Sequence, residues 1–284
     1  MKDLKIYAFA DEASGQIKGQ IDAMLRNGLD GLEIRGVDGQ NISDISMDKA
    51  REVRRMLDDA GLEVWSVGSP IGKISIESDT FPAHLDKLRH TLDLAQALGS
   101  NNLRMFSFYI PDGRHAEFRL KVLDWTGQML RAAEGSGIAL CHENEKGIYG
   151  DTADRCVDLL DAFPSLKGIF DPANYIQCGQ DTLRAWALNR NRVHYLHIKD
   201  ALPDGRVVPS GCGIGHIKEI LQDFRALGGG AVTVEPHLSV FDGLKGLEQA
   251  GNRTRTDAFS YSSGDAAFDA ACDALKKLAG LAEA

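Results

Sequence analysis

Cysteine is scarce in this chain, and no two cysteines are placed as a pair. The 284 residues include five, at Cys141, Cys156, Cys178, Cys212 and Cys272. Their odd number, their wide spacing and the lack of a CxxC motif argue against a disulfide framework and against a cysteine-based zinc site. We therefore expect free thiols that serve mostly as small core residues.

Long hydrophobic runs are also lacking. The amino terminus reads MKDLKIYAFADEASG, and its apolar stretch ends at Asp11 and Glu12. That stretch is too short for the hydrophobic region of a signal peptide and far shorter than the roughly 20 residues of a membrane span. The sequence predicts a cytoplasmic protein without a membrane partner.

An excess of positive charge is a third absence. Asp and Glu number 41 against 32 Lys and Arg, which gives a net charge of −9. Because a phosphate backbone attracts clustered Lys and Arg, we expect no nucleic-acid partner. The chain is long enough to bury roughly 75% of the surface that its unfolded form exposes, so a bound metal would serve chemistry rather than folding.

No Pro- or Ser-rich linker interrupts the chain, in which eight short apolar runs alternate with stretches at helical spacing. The predicted strands are residues 4–10, 31–35, 62–68, 102–108, 138–143, 166–170, 193–198 and 231–235. Gly28, Gly61, Gly99 and Gly137 stand where helices should end before the next strand. The first turn lacks the GxGxxG sequence of a doubly wound sheet. The pattern predicts an α/β fold, a (β/α)8 TIM barrel that forms a single domain over residues 1–284.

Two connections are longer than a minimal βα loop, at residues 199–213 and 236–264. Both are expected at the carboxyl-terminal face of the barrel, where loops of this fold carry function. The first contains GCGIG, from Gly211, just before a helix. Its backbone N–H groups are candidates to hold a phosphate, and a flexible lid is the alternative interpretation.

Each of the last four predicted strands ends in a potential metal ligand: Glu143, Asp171, His197 and Glu235. The ends of barrel strands meet at one mouth, so these four side chains should converge. Three carboxylates and one imidazole suit one divalent ion, Mn²⁺, Mg²⁺ or Co²⁺, with Zn²⁺ as a further candidate. The alternative is four separate polar residues that face water, which would require a coincidence of register.

Several segments also resemble those of a known family. They are GLEIRGVDG from Gly31, SPIGKI from Ser69, RMFSFY from Arg104, HENEKGIYGDT from His142, FDPANY from Phe170, HIKDA from His197, GCGIG from Gly211 and VEPH from Val234. Together they resemble the xylose isomerase-like barrels, the sugar phosphate isomerases and epimerases of the tagatose-epimerase and hydroxypyruvate-isomerase kind, over nearly the whole chain.

The resemblance implies a metal-dependent isomerase or epimerase of a small keto sugar, a sugar phosphate or a related polyol acid. It assigns the metal to Glu143, Asp171, His197 and Glu235. It also implies a cis-enediolate intermediate, with Glu143 and Glu235 as the catalytic acid and base. The expected partner is a small carbohydrate substrate, and the sequence is compatible with a homo-oligomer.

Seven further residues are candidates for substrate binding: Lys73, Asn174, Lys199, Arg206, His237, Glu33 and Arg35. Asn174 stands where the best-known epimerases often have a histidine, and Arg206 is the nearest counterpart of an arginine that follows their metal histidine. Lys73 could neutralise an anionic substrate group. Lys199 shares strand parity with His197 and should point the same way.

The remaining expectations follow from strand alternation and chain position. Glu33 and Arg35 share one face of the second strand, so we expect them to pair near the mouth. His237 follows Glu235 closely and should reach the mouth as well. By alternation, His194 should face the opposite side from His197, toward the helices.

Two other functions remain open at this point. A dehydratase that resembles inosose or dehydroshikimate dehydratases would use the same metal and base but expel a β-hydroxyl group. An apurinic endonuclease would need additional histidines at the ends of the third and fourth strands. Those ends read VGSP and FSFY, which disfavours the endonuclease.

Overall fold

A computed structural model describes residues 4–240 and 255–281. Eight parallel strands close into a barrel in the order β1-β8-β7-β6-β5-β4-β3-β2. The strands are β1 Lys5–Ala8, β2 Gly31–Ile34, β3 Glu63–Val67, β4 Asn102–Met105, β5 Ala139–Glu143, β6 Lys167–Phe170, β7 Val193–Ile198 and β8 Ala231–Val234. The closed parallel barrel confirms the predicted fold class.

Helices follow the strands in sequence and cover the outside of the barrel. In the described residues they are α1 Ile17–Arg26, α2 Met47–Asp59, α3 Phe81–Ala97, α4 His115–Ala133, α5 Ala153–Ala162, α6 Pro172–Gln177, α7 Thr182–Asn189, α8 Ile217–Ala226 and α9 Gly264–Ala279. Two small antiparallel hairpins lie outside the barrel, one at residues 36–41 after β2 and one at residues 200–208 after β7. None of the described helices combines the length and the apolar character that a membrane crossing requires.

Local sequence signals explain where several helices begin and end. The Ser46 side chain caps α2 by accepting a hydrogen bond from the N–H of Lys49, and Asp171 caps α6 in the same way. The four predicted helix-ending glycines all have positive φ. On the outer face, Phe81 of α3 stacks on Trp125 of α4 at 4.1 Å between ring centroids.

The barrel interior is apolar near its amino-terminal end and polar near its mouth. The lower layer consists of Tyr7, Cys141, Ile169, Tyr195 and Ala231, with Trp65 packed against them. Above it, buried polar side chains lead to the carboxyl ends of the strands, where the four candidate metal ligands lie. The fold therefore places the site on a rigid apolar floor.

A bulge corrects one expectation. The pairing of β6 with β7 shifts register after Gly168, so strict alternation fails near the start of β7. The ring of His194 stacks on Trp65 at 5.5 Å and bonds Asn102 at 3.1 Å, inside the lower end of the barrel. The prediction that His194 faces the helices was wrong.

The two long connections are described to different extents. The first contains the hairpin at residues 200–208 and the GCGIG turn. Of the second, predicted at 236–264, residues 241–254 lie outside the described part of the chain. Three cysteines, Cys141, Cys156 and Cys272, are buried as predicted, whereas Cys212 in the GCGIG turn is exposed.

Candidate metal centre and active site

The four strand-end residues meet at the mouth of the barrel. One potential ligand atom from each of Glu143, Asp171, His197 and Glu235 lies within 4.8 Å of the others. All four side chains are buried, with Glu235 the most accessible at 3%. Buried carboxylates this close repel one another unless cations lie between them. The arrangement therefore lowers the stability of the folded protein, which favours a functional role for it.

The imidazole of His197 is held from both sides. Its Nε2 lies 2.9 Å from Oε2 of Glu33, and its Nδ1 lies 3.0 Å from Oε1 of Glu143. Burial disfavours the charged ring, but the carboxylates of Glu143 and Glu33 outweigh it and raise the pKa of His197 well above its ordinary value. A carboxylate on the outer nitrogen orients a ligating histidine, and Nδ1 is the nitrogen that faces the other three residues.

Glu33 is itself fixed in the barrel interior. Its Oε1 accepts a hydrogen bond from the Tyr195 hydroxyl at 2.9 Å, and Ser66 Oγ lies 3.1 Å from the same hydroxyl. The register shift between β2 and β3 falls beside Glu33. Glu33 therefore lies behind His197 and supports its orientation.

Asp171 has one oxygen engaged in the helix cap and one directed at the site. Oδ1 accepts the N–H of Asn174 at 3.0 Å. Oδ2 is buried and accepts no well-formed hydrogen bond, although Nζ of Lys199 lies 2.7 Å away. Burial raises the pKa of Asp171 to about 7, with Lys199 opposing the rise and the charges of Glu235 and Glu143 adding to it.

Glu143 is held by three donors from different strands and helices. Oε2 accepts a hydrogen bond from Arg104 at 3.0 Å, and Oε1 accepts one from Nδ2 of Asn174 at 3.3 Å in addition to the contact with His197. The sequence reasoning missed Arg104. The sequence feature that could have identified it is a charged residue within the buried strand β4. Arg104 stands two positions from the inward-facing Asn102 and so shares its side of the strand.

Glu235 lies between two cationic side chains. Its Oε2 is 2.9 Å from Nζ of Lys199, and its Oε1 is 3.4 Å from Nη1 of Arg35. Burial alone would raise the pKa of Glu235, but Lys199 and the neighbouring imidazoles hold it well below the ordinary value. The position of Lys199 agrees with the parity argument made from the sequence.

Glu33 and Arg35 have different partners, which corrects the expected pairing. Glu33 bonds His197 and Tyr195, as described above. The guanidinium of Arg35 bonds Asp11 at 2.9 Å and Glu12 at 3.0 Å. These two acidic residues follow β1, and no signal in the sequence linked them to Arg35.

His237 reaches the same region, as predicted. Its backbone N–H donates to Oε2 of Glu12 at 2.6 Å, and its Nδ1 lies 3.6 Å from Oε1 of Glu235. His237 adopts a left-handed conformation with φ 43°, which is unusual for a residue with a side chain. Burial raises the pKa of Glu12 to about 8 against the opposing charge of Arg35.

The remaining predicted residues lie at the edge of the site or outside it. Lys73 contacts Glu145 at 3.3 Å and lies over the ring of Phe106 at 4.4 Å. Arg206 belongs to the outer hairpin and pairs with Asp204 at 2.8 Å, so the structure does not bring it to the quartet.

The GCGIG turn uses its backbone N–H groups within the chain. The carboxylate of Asp200 accepts the N–H groups of Gly211, Gly213 and Gly215 at 2.9, 3.1 and 2.8 Å. Because these donors are already satisfied, the interpretation of the turn as a phosphate cradle was wrong for these three groups. Asp200 instead ties the turn to the end of β7.

The donor set fits a divalent ion. Three carboxylates and an imidazole held by a carboxylate are typical ligands of such a site, and Oδ2 of Asp171 is a buried oxygen without a well-formed hydrogen bond. Glu143, Asp171, His197 and Glu235 would hold the ion.

Comparison with known proteins agrees with this geometry. A family model described as xylose isomerase-like TIM barrel matches residues 21–278. The chain belongs to this family. No curated protein matches the sequence. The family membership confirms the resemblance seen in the sequence.

Several solved structures share the fold. The zinc-bound IolI protein is 12% identical, with a TM-score of 0.74 and coverage of 97% of this chain and 98% of that one. The probable 3-DHS dehydratase AsbF of Bacillus anthracis is 17% identical, with a TM-score of 0.71 and coverage of 97% and 99%. The 3-keto-D-glucoside 4-epimerase YcjR of E. coli is 17% identical, with a TM-score of 0.69 and coverage of 98% and 99%.

A longer protein also matches. It is a fusion of a xylose isomerase-like TIM barrel with a 4-hydroxyphenylpyruvate dioxygenase, 19% identical with a TM-score of 0.73. The match covers 97% of this chain but only 43% of the fusion protein. At these identities the similarities establish the fold alone. They show that barrels of this kind occur in an epimerase, a probable dehydratase and a zinc-binding protein.

Proposed function

We propose that this protein is a metal-dependent isomerase or epimerase of a small keto sugar, sugar phosphate or related polyol acid. The observation that carries the proposal is the convergence of Glu143, Asp171, His197 and Glu235, with His197 oriented by Glu33. Polar residues that merely face water at strand ends would not be buried together, and none of them would be oriented by a carboxylate from another strand.

The metal is proposed to be one divalent ion, Mn²⁺, Mg²⁺, Co²⁺ or Zn²⁺. When bound, such an ion polarises the carbonyl and adjacent hydroxyl oxygens of a substrate and stabilises the negative charge that develops on them. The zinc in the IolI structure supports the presence of a metal without fixing which ion this chain uses.

The residues of the chain supply the proton transfers. Glu143 and Glu235 both lie beside Nδ1 of His197, at 3.0 and 3.5 Å, so their carboxylates border one small space. A carboxylate there can take a proton from the carbon next to a carbonyl, and the second can return one at the neighbouring carbon or on the opposite face. We propose these two residues as the base and the acid.

The other polar residues would bind and orient substrate hydroxyl groups. Asn174 and Lys199 contact the quartet directly, and His237 lies beside Glu235. Lys73 is held at the rim by Glu145. We assign Arg35 to positioning Glu235, and Glu33 to positioning His197, rather than to substrate contact.

Dehydration is the second candidate function. Loss of a β-hydroxyl requires a proton donor near the base, and Lys199 and His237 both lie beside Glu235. The shared fold with AsbF is consistent with it. A product lighter than the substrate by one water would identify this reaction.

We also propose a cytoplasmic location and a small-molecule partner. The free cysteines suit a reducing compartment. The acidic composition gives no electrostatic attraction for nucleic acid.

The test is hydrogen exchange followed by NMR in D₂O with Mn²⁺ present. Ketoses, keto acids and inososes are offered to the wild-type protein, and deuterium should enter the carbon next to the carbonyl of an accepted substrate. Glu143→Gln and Glu235→Gln should each lower kcat by about 10² or more, because an amide cannot transfer the proton.

Glu63→Gln is the matched control. Glu63 lies at the opposite end of the barrel, where it accepts a hydrogen bond from Tyr7, and this variant should keep wild-type turnover. If both site variants turned over an accepted substrate at nearly the wild-type rate, the glutamates would not be the acid and base. One variant that exchanges deuterium without turnover would identify the first base.

A further inference from the structure

The ammonium group of Lys199 lies where two metal ligands converge. Nζ is 2.7 Å from Oδ2 of Asp171 and 2.9 Å from Oε2 of Glu235, and Lys199 is only 5% exposed. We propose that Lys199 is an internal counter-cation of the metal-free site, which a divalent ion must displace from both carboxylates in order to bind. The inference rests on the metal centre of the proposed function.

In each carboxylate, the second oxygen is directed at another donor. Oδ1 of Asp171 accepts the N–H of Asn174 at 3.0 Å as part of a helix cap. Oε1 of Glu235 lies 3.4 Å from the guanidinium of Arg35, which is itself fixed by two acidic residues. The oxygens that face the quartet are the two that Lys199 contacts, since Oδ2 of Asp171 is not part of the helix cap and Oε2 of Glu235 lies 3.5 Å from Nδ1 of His197.

Charge explains why the lysine and the ion compete. The quartet brings three carboxylates together within 4.8 Å, and Lys199 reduces their repulsion. A divalent ion on the same oxygens would lie a few ångströms from the ammonium group, and at that distance two cations repel strongly in a buried site. The contact that stabilises the metal-free protein thus weakens metal binding.

The displacement can be confined to the side chain. Asp200, the next residue, is fixed by the N–H groups of the GCGIG turn, so the backbone at Lys199 has little freedom. The four-carbon stem of a lysine can change rotamer without a backbone movement. Lys199 would then act as a residue that sets metal affinity, beyond its contact with substrate.

The experiment measures Mn²⁺ binding by isothermal titration calorimetry to protein freed of metal with a chelator. Lys199→Met removes the charge and retains the stem, so Mn²⁺ should bind more tightly by about tenfold or more, on the scale of a close charge pair. The melting temperature of the metal-free variant should fall below that of the wild type. Lys199→Arg retains the charge and should not tighten binding.

Lys73→Met is the matched control. Lys73 is also a poorly exposed lysine paired with a carboxylate, but its partner Glu145 is outside the quartet. Its removal should change the Mn²⁺ affinity by less than about twofold, since separation and screening weaken a more distant charge. A gain equal to that of Lys199→Met would show a general charge effect and overturn the proposal.

Crystal structures of the wild type with and without Mn²⁺ provide a readout that needs no variant. Nζ of Lys199 should move out of hydrogen-bond distance of Asp171 and Glu235 when the ion binds. Nζ still between both carboxylates beside the ion, or unchanged affinity in Lys199→Met, would overturn this inference and leave the proposed function intact. A wild type that binds no divalent ion would overturn both.

Discussion

Each ring nitrogen of His197 has a carboxylate beside it, and only one of the two could be placed there from the sequence. Glu143 is a strand-end residue that the sequence placed at the mouth. Glu33 is 164 residues from His197 in the chain, and the sequence could place it inside the barrel but not against this imidazole. Such contacts depend on the register of all the intervening strands.

A second buried histidine allows a test at the residue scale. Nε2 of His84 accepts the N–H of Gly72 at 2.7 Å, which requires a neutral ring. Burial lowers the pKa of His84 to about 4, with Lys87 adding to the effect. The unfolded chain therefore binds one more proton than the folded protein between pH 6.5 and 4, and acid in this range favours unfolding.

We expect the free energy of unfolding to fall by up to about 1.4 kcal/mol per pH unit through His84 as the pH drops from 6.5 toward 4. His84→Gln should reduce this slope, as measured by urea denaturation at several pH values, with pH 8 as the reference where the ring is neutral in both states. An unchanged slope in the variant would show that His84 is not the linked group.

At the scale of strands and helices, hydrophobic patterning predicted much of the barrel. All eight strands begin within one residue of their predicted starts. Gly28, Gly61 and Gly99 directly follow helix C-caps as predicted, whereas α4 ends at Ala133, four residues before Gly137. The predicted end was two residues too far for β1, three for β4 and one for each of β2, β3 and β8. In β1 and β4, apolar residues continue past the last paired residue. The two register shifts have no signature in an apolar pattern, and His194 was misplaced for that reason.

The GCGIG turn shows what composition alone does not reveal. Glycines near a helix start suggest an anion site, but the anion here is the chain's own Asp200. Gly213 and Gly215 are required because a side chain at either position would collide with that carboxylate. A Cβ on Gly213 would lie 2.3 Å from Oδ1 of Asp200 and 2.3 Å from the carbonyl oxygen of Ala201.

We therefore expect Gly213→Ala to lower the free energy of unfolding by about 1–3 kcal/mol, the usual cost of forced overpacking. Gly15→Ala is the control, since a Cβ there would meet no atom within 4 Å. Urea denaturation of both variants is the measurement. Equal stability of the two variants would mean that the turn can rearrange to accommodate the added Cβ. Asp200 would then not hold the turn in one conformation.

For the whole molecule, the apolar core and the metal centre are separate sources of stability. The core cluster extends from β1 to α9 and does not depend on the quartet. A bound ion adds stability only as the logarithm of its concentration relative to its Kd. The metal-free protein should therefore remain folded.

Asp171→Asn tests this separation, because asparagine can still cap α6 but carries no charge. With Mn²⁺ at about 100 times its Kd, the wild type should gain about 2.7 kcal/mol, which corresponds to a rise in Tm of roughly 4–6 °C for a chain of this size. The variant should melt cooperatively and show little shift. Asp161→Ala, a surface substitution at a residue paired with Arg192, should shift as the wild type does. If the wild type unfolded on chelation, the metal would be structural.

The stacked rings at the lower end of the barrel also limit the routes by which a small molecule can reach the interior. Tyr7 stacks on Trp65 at 5.2 Å and His194 stacks on the other side of Trp65 at 5.5 Å, directly below the polar interior. These rings belong to the packed layer that fills the barrel axis below the quartet. The substrate and the product of the proposed reaction would then share the opening at the mouth, and each would compete with the other for entry.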